Sequence, residues 1–367
     1  MTQKQINLAL ISPQQEAVSE TFIKAHKQLP FNVKFYYGGY FPSHLEGKKS
    51  IFRFSLIERV KFKFNNKISL ARTAISKSFR KEKINCILAE YGPTACEILG
   101  LATEMSIPLV AHFHGFDATN PVIVQQYRDE YLKLFNYASG VIVVSSKMKA
   151  DLIMLGCDEN KIIMSPCGPN HDFLKISPVR ESNHFLAVAR FVDVKGYLFT
   201  ITAFKKALEK HPAVRLNCIG EGPQLESCKQ FVKILQLENH VTFSGAASHD
   251  EIKLAMSNSF AFVQHSVTLS DGLTEGSPVS VMEAMAASLP VVCSASGGMV
   301  DLVLHNNNGF LVEEFDTDSM AASMCSLIEN KELAKSMGLA GRSRIISELT
   351  QERHLKSIEA EILRAIA

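Results

Sequence analysis

Short apolar, β-branched runs alternate with stretches of helical periodicity along this chain, and no other feature restricts its fold so strongly. INLALIS, NVKFYYGG, NCILAEYG, PLVAHFHG and GVIVVSS form one series, and HFLAVAR, VRLNCIG, VTFSG, FAFVQHS and PVVCSAS form a second. Runs this apolar, separated by helical segments, indicate α/β architecture with parallel sheets and crossover helices. The two series are divided by PCGPNHDFLKISPVRESN (166–183), rich in Pro, Asn and Ser and without periodicity. A chain of 367 residues exceeds the usual size of one hydrophobic core, so two domains are expected, 1–172 and 181–348. The last segment, LTQERHLKSIEAEILRAIA, reads as an amphipathic helix with Leu355, Ile358, Ile362 and Ile366 at helical spacing.

Composition excludes several classes. A net charge of +2 is too small to imply nucleic-acid binding by the whole chain. Eight cysteines are spread singly, without C-x-x-C or a His at ligand spacing, which supports neither zinc nor a thioredoxin-like motif. Their apolar surroundings fit free thiols in a reducing compartment. The start, MTQKQINLALIS, lacks the length of a signal peptide or membrane span, so a cytoplasmic location is expected.

In open parallel sheets, ligands bind beyond the carboxyl ends of the strands. The turn after INLALIS has no Gly-x-Gly-x-x-Gly, which argues against an ordinary dinucleotide site. The richest segment is FAFVQHSVTLSDGLTEGSPVSVMEAMAASLPVVCSAS. Here Ser277 is suited to cap a helix, Pro278 to its first position, and Pro290 to stop it after Leu289. The backbone N–H groups from about Val279 onward would make an anion site. Glu275 just before this start and Glu283 within the helix are suited to accept hydrogen bonds from sugar or ribose hydroxyls. Arg190 ends an apolar run and Lys195 follows with Gly196, a pair suited to a diphosphate. Each feature alone has a plain structural reading: Glu283 satisfying a neighbouring backbone group or arginine, Arg190 and Lys195 as solvated loop charges.

Together the two segments resemble the family 4 glycosyltransferases, in which an Arg and Lys pair is followed by two glutamates in this spacing. ARFVDVKG, IGEGPQLE, VTFSGAASHDEI, EGSPVSVMEAMAASLPVV, SGGMVDLV and NNNGFLV follow the family's order over 185–312, whereas HFHGFDAT and SETF carry it in the N-terminal half. The resemblance implies a GT-B fold: two Rossmann-like domains facing across a cleft, acceptor domain first, donor domain second, and the final helix (about 350–367) packing back on the first. It implies that Arg190 and Lys195 hold the donor diphosphate, Glu275 the transferred sugar and Glu283 the ribose. Gly276, Ser277, Pro278 and Val279 would face the sugar or phosphate, and Gly220, Glu221 and Gly245 the nucleotide. His114 of the His-Gly-x-Asp motif would lie beside the reacting sugar, with Asp117, Glu20 and Thr21 on the acceptor side. A packing role on the opposite face is expected for His112. In SHDEI, Ser248 and Glu251 form a capping box.

The activity implied is retaining, metal-independent sugar transfer from a nucleoside-diphosphate sugar to a glycan or lipid-linked acceptor, with no cofactor, in the building of surface polysaccharide. No Asp-x-Asp metal site ends a strand, and Asp316-Thr317-Asp318 reads as a helix start. Residues 46–83 hold twelve Lys or Arg against three Glu, interleaved with Ile51, Phe52, Phe54, Phe62 and Phe64. That mixture suits an anionic membrane surface, such as the inner face of the cell membrane, or a lipid diphosphate, with a solvated helical face as the plain alternative. Nucleic acid is not an expected partner. Two other functions share the implied fold: a sugar-nucleotide epimerase and a catalytically silent nucleotide-binding subunit.

Overall fold

The computed structural model describes residues 5–15, 21–48, 50–51, 67–179 and 183–367. The chain forms two compact units, Met1–Ser165 with His354–Ala367, and Pro166–Arg353. The division falls upstream of the limit at 172 read from the sequence. Phe173 and Ile176 explain it, because both are buried in a core cluster of the second unit.

The first unit is built on β1 (Asn7–Ile11), β2 (Asn32–Tyr37), β3 (His44–Leu45), β4 (Cys86–Glu90), β5 (Leu109–His112), β6 (Gly140–Val143) and β7 (Ile162–Met164). Their order is β3-β2-β1-β4-β5-β6-β7. All these pairings are parallel except β2 with the short edge strand β3. Leu8, Ala9, Leu10 and Ile11 are all buried, with none of the in-out alternation of a one-sided sheet. Chain order reverses at β1, which has β2 on one side and β4 on the other, so Ser12 and Glu90 stand at the carboxyl end of the reversal.

The second unit contains β8 (His184–Val188), β9 (Arg215–Ile219), β10 (Val241–Gly245), β11 (Ala261–Gln264), β12 (Val291–Ser294) and β13 (Gly309–Val312). These run parallel in the order β10-β9-β8-β11-β12-β13. Successive side chains supply two cores: Phe185, Ala187, Ala261 and Val263 enter one, and Leu186, Val188 and Phe262 the other. That period of two is the strand's own. The reversal here lies between β8 and β11.

The helix Gln351–Ile366 buries His354, Ile358, Glu361 and Ile362, so its inward stripe is turned from the one expected through Leu355 and Ile366. Two buried polar residues explain the turn, since His354 and Glu361 have partners in the first unit. Arg364 carries Glu361 alongside it and donates to the carbonyl of Ser139 at 2.6 Å. Gly140 is required beside them, because a Cβ there would lie 1.9 Å from Glu361 Oε1. Among the described residues, no helix is long and apolar enough to cross a membrane. All eight cysteines are free.

Candidate functional site

At the carboxyl end of β8 and β11, Lys195 and Glu275 come together. Lys195 closes the tight turn Asp193–Lys195, and Gly196 adopts the left-handed conformation, φ 55°, to enter the helix Tyr197–Lys210. No side chain fits at Gly196, since a Cβ would lie 1.8 Å from the carbonyl oxygen of His265. That contact fixes the turn against the end of β11. Lys195 Nζ then donates to Glu275 Oε2 at 2.5 Å. The same oxygen accepts from Gln264 Nε2 and Ser266 Oγ, both at 3.1 Å. Glu275 is only 7% exposed. Its Oε1 has no hydrogen-bond partner among the described residues, which leaves one acceptor oxygen for a ligand. Arg190, just beyond β8, is exposed.

The helix beyond Glu275 runs Val279–Ala286, with Pro278 as its N-cap. This corrects two expectations. Ser277 does not cap: Pro278 is extended (φ −73°, ψ 108°), the helix starts one residue later, and Ser277 Oγ is buried without a partner. The helix also ends short of Leu289. Its first N–H groups have no intrahelical acceptor, which leaves a patch of positive potential at Val279 and Ser280. Glu283 is 6% exposed. Burial pushes its carboxyl from the ordinary 4.5 up to about 8. It has no side-chain partner among the described residues, so neither a backbone group nor an arginine satisfies it. A ligand offering hydroxyl donors would.

Glycines hold the surrounding turns. At Gly220 a Cβ would lie 1.9 Å from the carbonyl of Ala189, beside Arg190. Gly220 N donates to Gly245 O at 2.8 Å, so these two glycines are bonded to each other and support the loop after β8. The Glu221 side chain is exposed, and its backbone carbonyl accepts from Phe191 at 2.8 Å. Gly276 is buried between Glu275 and the helix start. Gly297 and Gly298 were not singled out by sequence, yet a Cβ at Gly297 would lie 1.9 Å from Glu275 O, and Gly298 N donates to that oxygen at 3.1 Å. The SGG after PVVCSA was the readable signal. Ser248 and Glu251 form the capping box, and Asp316 caps the helix Thr317–Glu329.

In the first unit, His114 Nε2 bonds Glu90 Oε2 at 2.7 Å, and its ring stacks on Phe22 with centres 4.3 Å apart. His112 does not point away as alternation implied. β5 ends at His112, the chain turns through Gly115 at φ 150°, and the rings of His112 and His114 lie 4.0 Å apart. Asp117 is fully buried rather than presented to an acceptor. It receives the backbone N–H groups of Gly92 (2.9 Å), His114 (3.0 Å) and Gly115 (2.9 Å), and so shapes the loop that presents His114. Glu90, which local pattern did not single out, also accepts from His26 Nδ1 at 2.7 Å. A carboxylate closing the apolar run NCILAE was its only trace in the sequence. Glu20 lies outside the described residues, as does the Thr21 side chain, although Thr21 opens the helix Thr21–His26. Of the basic stretch, 49 and 52–66 lie outside them too. In the described part, Lys48 pairs with Glu82 and Arg72 with Glu104 at 3.0 Å.

Comparison with known proteins places this geometry. The family model "Glycosyltransferase Family 4" matches residues 15–173, and "Glycosyl transferases group 1" matches 172–344. The amylovoran biosynthesis glycosyltransferase AmsK of Erwinia amylovora is 30% identical over 70% of this chain and 64% of its own length. The putative colanic acid biosynthesis glycosyltransferase WcaL of Escherichia coli is 29% identical over 69% of this chain and 64% of its own. The chain thus spans less than two thirds of these curated relatives. The structure of Anabaena HepE in complex with UDP matches with a TM-score of 0.79 at 18% identity, covering 98% of this chain and 99% of that one. Two parallel-sheet Rossmann-like units and two adjoining family matches agree: the chain belongs to the family 4 glycosyltransferases and has their GT-B fold.

Proposed function

We propose that this protein moves a sugar from a nucleoside-diphosphate sugar to a hydroxyl of a glycan or lipid-linked acceptor, with retention of anomeric configuration, in cell-surface polysaccharide assembly. The observation that carries the reading is the part-buried Lys195–Glu275 pair at the β8–β11 reversal, with Arg190 exposed just beyond β8 and one Glu275 oxygen unused. On the donor, Arg190, Lys195 and the N–H groups at Val279 take the diphosphate, Glu275 Oε1 accepts from a sugar hydroxyl, and Glu283 accepts from the ribose. The bond from the anomeric carbon to the diphosphate oxygen breaks as the acceptor oxygen bonds to the same face. The acceptor's proton passes to the departing phosphate oxygen. Negative charge grows on that phosphate, where Arg190 and Lys195 stabilise it. Neither glutamate acts as a nucleophile, in contrast to the carboxylate pair of a retaining glycosidase. His114, held by Glu90, is assigned to the reacting sugar.

Cations supplied by the chain take the role a divalent ion has elsewhere, so transfer proceeds without added metal or cofactor. The relatives in amylovoran and colanic acid biosynthesis support the polysaccharide assignment. We assign the work to the cytoplasmic face of the cell membrane, on the twelve Lys or Arg interleaved with aromatic residues in 46–83, which suit anionic lipid.

A thermal-shift screen with UDP, GDP and ADP tests the donor half, since a ligand that binds only the folded state raises its apparent stability. One of the three is expected to shift the midpoint, and no shift with any would sink the reading. With the donor sugar known, NMR of the product's anomeric proton reports retention. Release of the nucleotide without a new glycosidic bond would point to an epimerase instead.

A further inference from the structure

Four histidines surround Glu90 in the first unit, and the transfer reaction uses only His114. His26, His112 and His354 come from the N-terminal helix, the end of β5 and the C-terminal helix, and all three are at most 1% exposed. One ring nitrogen from each lies within 4.8 Å of the others. His26 Nε2 and His354 Nε2 stand 2.9 Å apart. Two neutral imidazoles meeting in this way repel through their lone pairs unless a proton or a cation lies between them.

The other nitrogens are already held. His26 Nδ1 donates to Glu90 Oε1 at 2.7 Å, His354 Nδ1 bonds Ser165 Oγ at 2.9 Å, and His112 Nδ1 is 3.2 Å from Glu90 Oε2. Metal-bound histidines are oriented in this manner, by a carboxylate or hydroxyl on the far nitrogen. His112 is also fully buried, and its Nε2 has no hydrogen-bond partner among the described residues, an atom that calls for an unseen one. A shared proton between His26 and His354 would leave His112 unsatisfied, whereas an ion among the three would not.

Ring geometry agrees with a tetrahedral ion. With zinc–nitrogen bonds of about 2.0–2.1 Å, each ring centre lies about 3.2 Å from the metal, and centres of rings placed tetrahedrally are about 5.2 Å apart. The observed separations are 5.1 Å for His26–His354 and 5.3 Å for both His26–His112 and His112–His354. Binding therefore asks for rotation of the rings rather than displacement of the backbone. Burial also holds His112 and His354 in the neutral form that ligates metal, with His112 pushed down to about 3. A divalent cation would offset the buried Glu90 carboxylate.

We propose that His26, His112 and His354 form a zinc site that fastens the C-terminal helix to the sheet of the first unit, with a water as fourth ligand. The ion is structural. Its connection to His114 runs through Glu90, which holds both, and the proposal is independent of the transfer reaction.

The test uses untagged full-length protein and zinc alone as the probe. After dialysis to remove loose ions, elemental analysis is expected to find about one zinc per chain. Cobalt exchanged into the site should show the intense visible bands of tetrahedral coordination. Protein stripped under chelator should rebind zinc and gain several degrees in its unfolding midpoint. His112→Gln and His26→Gln should each lower the zinc content to about a tenth or less of the native value, while His211→Gln, on a helix end of the other unit, should leave it unchanged. The proposal is overturned if folded, stripped native protein takes up no zinc at about 50 µM. It is equally overturned if a folded His112→Gln variant keeps native stoichiometry. Should both variants fail to fold, uptake and the cobalt spectrum of the native chain still decide.

Discussion

Replacing Glu283 by Gln tests the electrostatics of the second unit without altering its shape. The Glu283 carboxyl is 6% exposed and burial moves it from 4.5 to about 8. The folded protein therefore keeps a proton that the unfolded chain releases above pH 4.5. With the folded value raised, the group's contribution is fully present below about pH 4.5 and declines as pH rises to about 8. Each pH unit in that window costs the native protein about 1.4 kcal/mol, giving about 3 kcal/mol at pH 7 and about 5 kcal/mol above pH 8. Gln has the same outline and does not titrate. Any fixed cost of burying its amide is independent of pH, so the slope of the difference is the observable. The chain has no tryptophan, so urea unfolding followed by far-UV circular dichroism at pH 5, 6, 7 and 8 is the suitable assay. The stability of Glu283→Gln relative to native should climb by about 1.4 kcal/mol per unit across this range. A difference that stays level from pH 5 to 8 would show that the carboxyl finds a compensating partner, and the reasoning would fail.

Lys195→Ala and Glu275→Gln should each reduce sugar transfer by about a hundredfold or more while leaving the far-UV spectrum unchanged, and full activity in either removes the site assignment. Asp117→Ala removes the carboxylate that accepts from three backbone N–H groups and should destabilise the first unit by about 3 kcal/mol, read as a lower unfolding midpoint; a neutral result would contradict its role in shaping the loop. Gly196→Ala places a methyl against His265 O. It should cost about 2 kcal/mol or more and weaken nucleoside-diphosphate binding through the displaced Lys195, which calorimetry would record. Binding of the protein to anionic liposomes should be strong at low salt and fall as salt rises; absence of binding at low salt refutes the membrane role of 46–83.

The inner strands were legible because β4, β5, β6, β11 and β12 are short apolar runs buried on both faces, whereas the short β3, β7 and β13 are missing from the two series. Local pattern also drew attention to the segments carrying Arg190, Lys195, Glu275 and Glu283. It gave no sign that Lys195 and Glu275 touch across a separation of 80 residues, nor that Gln264 and Ser266 complete the carboxylate's shell. Sequence favours a cap at Ser277 because Pro suits the first helical position, whereas a ψ of 108° keeps Pro278 outside the helix. The histidine cluster was invisible for a simpler reason. His26 and His354 lie 328 positions apart, and no short window contains both.

The first unit is discontinuous, taking Met1–Ser165 from one part of the chain and His354–Ala367 from another. On the ribosome, its sheet emerges early, but the residues that cover His26, Glu90 and Ser139 are translated only after all of Pro166–Arg353. Until then a buried carboxylate and its histidines face water, and the nascent sheet lacks one of its covering helices. The second unit, contiguous in sequence, needs no such delay and can close as soon as it leaves the tunnel. Completion of the first unit thus waits for the helix Gln351–Ile366, so a premature stop near residue 350 would spare the later-made unit and cripple the earlier-made one.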